Sequence, residues 1–527
     1  MGRIQMRLRE KPSKCSSRFL LRKTTACLAC LGLLFVGGCS AGKSHRNKPV
    51  PHSTTQTSIS TQPAHEEVNR VELASHQVNT KEQVSANQDS ADVEEVGSIP
   101  INLPTALSMI GGEHPVVELA RWRVQEAYAQ LERANAMWLP SIQSGMNYRR
   151  RDGNYQDVQG SIVDVDLNSM NYGLGAGAVG AGSPTQPGVV ARFHLADAIF
   201  LPRSAENIAK ARDHAATAVF NHQLLQGSVA YVELLEAYQD LAIMEESVGR
   251  TQELVKLTQD YAQAGEGLQS DADRAATELA LLKTRRLSAQ ERQRVASTRL
   301  ARTLSMPMTS SLVPQDATVV PLDLTPVESE EGFLITTALS MRPELKESQS
   351  LVAAACQAYK REKNAPFVPS VLLGFSTTSF GGGLGSDSAN FAGRYDVDAM
   401  MVWEMRNLGV GERSARREKN AQVQQAIYTK LRLMDQVAQE VAEANVQVGA
   451  RREQVEMARV AIESAKESYR RNLERIREAE GLPIEVLQSI QALEASQRAY
   501  LRAVADYNRS QLQLQWALGW STQPVAL

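Results

Sequence analysis

A heptad seam between Arg413 and Gly519 constrains the fold of this chain more than any other feature. Ile427, Met434, Val441, Val448, Val455, Ile462, Tyr469 and Ile476 recur every seven residues. Val437, Ala444, Ala458 and Ala465 fall three residues after four of them. This a/d pattern predicts one very long helix that packs knobs-into-holes, and small Ala at several d positions lets a neighbouring helix come close. An arm of roughly 65 residues is about 100 Å long, more than a compact core needs. Glu480-Gly481-Leu482-Pro483 then predicts a turn: Gly suits the end of a helix and Pro the first turn of the next.

The hairpin occurs twice. Gly267-Leu268 corresponds to Gly481-Leu482, 214 residues on. At the same offset Leu279 matches Leu493, Leu287 matches Leu501, Leu300 matches Leu514 and Leu304 matches Leu518. Leu234, Leu241, Val248 and Val255 match Val448, Val455, Ile462 and Tyr469. A duplicated unit of this kind packs its copies side by side. The start of the unit repeats too: Ala338-Leu339-Ser340-Met341 mirrors Ala106-Leu107-Ser108-Met109, and Pro369-Ser370 mirrors Pro140-Ser141.

Each unit is predicted to run helix, strand, loop, strand, long helix, tip, return helix. The first helix starts at Pro104 or Thr105 and continues past His114-Pro115 to Trp138. Ile142 to Arg149 and Val189 to Phe200 alternate like strands, with a loose Gly/Asn/Ser-rich stretch between them. The long helix is expected after Pro202. In the second unit Val371 to Phe380 and Tyr395 to Trp403 read as strands, and Gly381-Gly382-Gly383 opens a loop. The fold class is mainly α with a small β part: long coiled-coil hairpins plus four strands of membrane-spanning length per chain. About eight strands are the fewest that close a barrel, and open edges are not tolerated in lipid, so such strands require other copies of the chain.

The N-terminus carries the compartment. Basic residues from Arg3 to Lys23 precede a short apolar run, Ala26 to Val36, which reads as a secretory signal and not as a spanning helix. Val36-Gly37-Gly38-Cys39 resembles the bacterial lipobox, in which the Cys is lipidated and becomes the first mature residue. Ser40 follows in place of the Asp that retains lipoproteins in the inner membrane, so outer-membrane lipid is implied. Of the five cysteines, processing leaves Cys39 and Cys356. The expected segments are the signal 1–38, a polar tether 39–98, a first repeat 99–309, a connector 310–332, a second repeat 333–520 and a tail 521–527. A net charge of −2 gives no electrostatic footprint for nucleic acid. Catalytic, metal and cofactor motifs are not found in a plausible context, so a non-enzyme is expected.

This layout resembles the TolC-like outer-membrane efflux family over nearly all of residues 101–520. Ala338-Leu339 followed by Arg342-Pro343-Glu344-Leu345 is similar to the family's opening of a unit. Glu485-Val486-Leu487 is similar to its acidic-Val-Leu motif past the tip, and Ala517-Leu518-Gly519 to its closing Ala-Leu-Gly. The resemblance implies a homotrimer with a β-barrel in the outer membrane and a helical barrel across the periplasm. It also implies an exit duct for an efflux pump or type I secretion system, working with a membrane-fusion adaptor and an inner-membrane pump. The implied adaptor contacts are the tips, Gly265, Gly267, Leu268, Gly481, Leu482 and Pro483. The implied aperture residues are Glu485 and its counterpart Asp271. The family's tip glycine matches Gly265 but is Ala479 in the second unit, and its second aperture acid is Gln488 here. A periplasmic coiled-coil adaptor and a structural envelope lipoprotein are the alternatives.

Overall fold

A computed structural model describes residues 98–112, 114–174, 189–325, 330–384, 392–478 and 480–520. The signal, Cys39, nearly all of the tether, Ala479 and the tail lie outside the described residues.

The first unit begins with a short strand β1 (Ile99–Ile101) and helices α1 (Leu103–Gly111) and α2 (Pro115–Asn135). Strands β2 (Ser141–Gln143), β3 (Gly145–Gln156), β4 (Ile162–Leu174) and β5 (Val189–Phe193) follow. The hairpin of α3 (Leu195–Ala264) and α4 (Gln269–Thr303) completes the unit. The connector contributes β6 (Leu312–Pro314), parallel to β1. The second unit has α5 (Glu331–Met341), α6 (Pro343–Asn364), β7 (Ser370–Leu384), β8 (Ala392–Val402), α7 (Val410–Arg477) and α8 (Pro483–Ala517).

The helices form one array in the order α4, α3, α8, α7. Towards the sheet, α2 takes the place of α4 beside α3, and α6 sits between α3 and α7. The heptad seam is the core of this array: Val437, Val441, Ala444, Val448 and Val455 are buried, with Met434 and Ala458 packed against them. The connector lies along α8. Asn508 Oδ1 accepts from the Leu322 amide at 2.8 Å and Gln511 Oε1 from the Thr325 amide at 3.0 Å.

Several local expectations are corrected. The helix to Trp138 is two helices, broken at Gly112–His114. Pro115 excludes the helical region from the residue before it, and His114 is extended at φ −68, ψ 122. The cap of α1 is Asn102, whose Oδ1 accepts from the Thr105 amide at 2.9 Å. The strand expected to Phe200 ends at Phe193, and α3 starts at Leu195 and runs through Pro202. Its first turn is anchored from outside, because Arg361 donates to Asp197 at 2.8 Å. The loose stretch before Gly188 contains β4, in which Asp164 and Asp166 alternate with Val163 and Val165. Gly381-Gly382-Gly383 does not open a loop but continues β7, opposite Asn168, Leu167 and Asp166.

The count of four strands is replaced by six segments in one antiparallel sheet, joined in the order β2, β5, β7, β4, β3 with β8 on β7. β5 and β4 lie end to end along β7, since Val189 and Leu174 both meet Phe375. β2 and β3 are separated by Ser144 alone. Among the described residues the segments therefore occupy four tracks, and the two outer tracks, β2–β3 and β8, each keep one unpaired edge.

Candidate functional site

The two tips are built alike. At the first, α3 is capped by Gly265 in the left-handed region at φ 78, where glycine carries no Cβ penalty. The amides of Glu266 and Gly267 both donate to the Tyr261 carbonyl at 3.0 Å. At the second, the amides of Glu480 and Gly481 donate to the Arg475 carbonyl at 2.9 and 3.1 Å. A Cβ on Gly267 would lie 3.0 Å from the Tyr261 Cβ, and one on Gly481 would lie 2.9 Å from the Ile476 nitrogen. Both glycines are thus fixed by the chain folding back on itself. Leu268 and Leu482 precede the return helices and project with 68% and 61% of their surface exposed. Pro483 opens α8 as its first residue.

The residues after the tips divide between core and surface. Val486 and Leu487 are buried with Leu254, Val255, Ala275, Ile476 and Ile490 in a cluster that joins the two hairpins. Glu485 stays partly exposed, and its Oε2 accepts from Arg475 Nη1 at 3.0 Å. Asp271 is held more loosely, with Arg274 at 4.0 Å. The Glu485 carboxylate therefore carries its own counter-ion at the second tip, and Gln488 beside it is exposed.

Three contacts between the hairpins were not anticipated. Tyr261 Oη donates to the Ile476 carbonyl at 3.2 Å. Arg477 meets Glu253 at 2.7 Å. The Arg250 guanidinium sits 5.2 Å from the centre of the Tyr469 ring, and burial pushes the Tyr469 phenol above its ordinary pKa. All three join α3 to α7, a lateral register that no motif encodes.

The motifs at the opposite end of the hairpin converge. Arg342 is buried and donates to Glu344 at 3.0 Å, to Glu440 at 2.9 Å and to the Ala517 carbonyl at 3.4 Å. Its guanidinium lies 4.2 Å from the centre of the Trp516 ring. It thus covers an end of α8 whose last carbonyls have no helical donor. Gly519, at φ 101, lets Met341 and Arg342 approach to about 3.1 Å of where its Cβ would be. In the first unit His114 takes the same place, its Nε2 3.0 Å from the Thr303 carbonyl at the end of α4.

The sheet has unlike faces. Pairing puts Val371, Leu373 and Phe375 of β7 on one face with Val397, Ala399 and Met401 of β8. Phe193, Ala191 and Val189 of β5 share that face. Leu373, Phe375, Val397 and Met401 are exposed. The other face carries Ser376, Thr378, Asp396 and Asp398. An apolar outer face with alternating polar positions is the pattern of a strand that meets lipid on one side. Among the described residues no helix is long and apolar enough to cross a membrane, and no side-chain group is placed to hold a metal.

No protein-family model and no curated protein matches the chain. Solved structures do. The outer-membrane channel OprN aligns over 80% of this chain and 91% of its own, with a TM-score of 0.64 and 19% identity. The Campylobacter jejuni CmeC outer membrane channel aligns over 79% and 85%, with a TM-score of 0.63 and 14% identity. CusC, described for its conformational changes on folding and transmembrane channel formation, aligns over 79% and 92%, with a TM-score of 0.62 and 17% identity. This chain has the fold of the TolC-like outer-membrane channels. The channel fold accounts for the duplicated hairpins and for the sheet placed between the short and long helices. These neighbours are channels rather than enzymes.

Proposed function

We propose that this chain is the outer-membrane channel component of a tripartite efflux pump or type I secretion system. Three copies form the duct: strands close a barrel in the outer membrane and helices line a passage through the periplasm. Cys39 carries the lipid that anchors the mature N-terminus. The tips at Gly265–Leu268 and Gly481–Pro483 receive the periplasmic adaptor, which links the duct to the inner-membrane pump. Glu485 lies at the narrow end and Asp271 beside it.

One observation carries this reading. Within the channel fold, a single chain leaves both its sheet and its helix array open at both sides. The open sides of the array bear Leu281, Leu287 and Val295 on α4 and Val446, Met457 and Val460 on α7, all exposed. A sheet of four tracks cannot close, and an unpaired edge is not stable in hydrocarbon.

Mass measurement in detergent is expected to give three chains, and the protein to conduct in planar bilayers. A stable single chain with native helix content and no conductance overturns the proposal. Labelled palmitate is expected in the full chain and not in Cys39→Ala; equal labelling refutes the anchor alone.

A further inference from the structure

The pairing inside one chain fixes how two chains can meet. Asp398 lies opposite Gly374, Gly374 opposite Val190, and Val190 opposite Gln143. Asp396 reaches Gly145 in the same way through Ser376 and Gly173. The odd-numbered positions of β3, including Arg149 and Arg151, therefore share a sheet face with Asp396 and Asp398. Both pairs of charges stand on the two unpaired edges, acids on β8 and bases on β3.

We propose, resting on the trimeric reading above, that β8 of one copy pairs antiparallel with β3 of the next. In this register Asp396 lies opposite Arg151 and Asp398 opposite Arg149. Residues must stay on their own face, so the stagger accumulated by each copy is an even number. Four tracks at about 4.8 Å spacing and about 3.4 Å per residue convert staggers of four, six and eight into strand tilts of about 35°, 47° and 55°. Barrels tilt by about 35–45°, which four and six match to about 2° and eight exceeds by about 10°.

Charge decides between them. A stagger of four sets Asp396 against Arg149 but also Arg394 against Arg151 and Asp398 against Asn147, whereas six sets an acid against a base twice and opposes no like charges. Opposed like charges destabilise a cross-strand pair and opposite charges stabilise it. The direction follows from overlap. With six, Ala392–Val402 runs along Tyr155–Gly145, so the whole of β8 is paired. The reverse stagger carries Asp398 past Ser141, where the track begins.

The side chains also want partners. Asp398 Oδ2 is buried without a hydrogen bond among the described residues. Among the described residues Asp396 pairs with Arg394 of its own strand, at 3.1 Å. Buried carboxylate oxygens are costly to leave unpaired, and the neighbouring copy supplies the missing donors.

Cysteine pairs test the register in the full chain with Cys356→Ser as the background. Directly opposed residues of an antiparallel pair are about 4.5–5.5 Å apart at Cα, within disulfide reach. Asp396→Cys with Arg151→Cys is expected to give covalent trimers on mild oxidation. Its yield should be at least tenfold above that of Asp396→Cys with Arg149→Cys (stagger four) or with Gly153→Cys (stagger eight). Preferential cross-linking of either offset pair, with a native mass of three chains, overturns the register and leaves the trimer standing. A native mass of one chain overturns both.

Charge exchange gives a second reading that needs no disulfide. Asp396→Arg with Asp398→Arg should lower the temperature at which trimers dissociate in detergent. Adding Arg149→Asp and Arg151→Asp should restore most of that loss. A fourfold variant no more stable than the twofold one overturns the pairing.

Discussion

Removing one oxygen at the tips tests whether the contacts between the hairpins hold the proposed duct shut. Tyr261→Phe deletes the donor to the Ile476 carbonyl, 3.2 Å away, and leaves the ring in the cluster that joins the hairpins. A neutral hydrogen bond of this kind contributes about 1 kcal/mol net. The other ties between α3 and α7 are no stronger. Arg477 and Glu253 are each 56% exposed, so their pair is worth about 0–1 kcal/mol, and Arg250 over Tyr469 adds about 0.5–1 kcal/mol. If three copies open together, Tyr261→Phe shifts the equilibrium by about 3 kcal/mol, roughly 100-fold in open population. Tyr238 supplies the control on the same helix, since it too donates to a backbone carbonyl, that of Leu312 at 3.1 Å. Single-channel recording in planar bilayers should show frequent or permanent opening for Tyr261→Phe and wild-type gating for Tyr238→Phe. Identical traces from Tyr261→Phe and the wild type, or equal opening in both variants, would refute the reasoning.

The remaining expectations concern stability, docking and selectivity. Gly519→Ala combines a positive φ with a Cβ about 3.1 Å from Met341, and should cost about 2–4 kcal/mol. Gly265→Ala, at positive φ but in open space, should cost about 1–2 kcal/mol, so heat inactivation that ranks them the other way contradicts the packing argument. Leu268→Asp with Leu482→Asp should abolish export in a complementation assay while trimer mass and expression stay unchanged; normal export refutes the tips as the adaptor contact. Glu485→Lys replaces the partner of Arg475 by a like charge, and should remove cation preference in bilayer recordings more completely than Asp271→Lys. Unchanged selectivity would leave Glu485 as a helix-start residue favoured by the dipole.

The helical part was legible because its period is long and its punctuation explicit. Eight apolar residues at sevenfold spacing cannot be arranged on a strand, and Gly481-Pro483 permits little besides a reversal. Strand β4 was hidden because Asp164, Asp166, Asn168 and Asn171 suit a loop equally well, and only a partner strand distinguishes the two. Pro202 misled for the opposite reason: the anchoring of Asp197 by Arg361 lies 164 residues away in sequence. The tip residues could be named from the turn alone. Their electrostatics could not, because Arg475 faces Glu485 only once the hairpin has closed. The ties from Tyr261, Glu253 and Arg250 depend on how far α7 slides along α3, which neither helix specifies by itself.

Duplication also accounts for why the two halves are not interchangeable. Leu287 and Leu501 occupy the same place in their units, yet Leu287 is 59% exposed and Leu501 is buried at 5%. The difference is positional: α8 has α3 on one side and α7 on the other, whereas α4 packs chiefly against α3. A repeat that joins its own twin through α3 and α8 must present the complementary surfaces, α4 and α7, to something outside the chain. In the proposed trimer that partner is the next copy, and the contact is heterologous, closing after three steps. The same geometry governs the sheet, where β3 and β8 are the unlike edges. Helices and strands therefore have to agree on one rotation between copies. An error of two residues at the strand seam moves the strands by about 7 Å, more than one helical turn of about 5.4 Å. The charges that fix the strand register thus also fix which turns of α4 and α7 meet, and the two seams are one constraint read in two kinds of secondary structure.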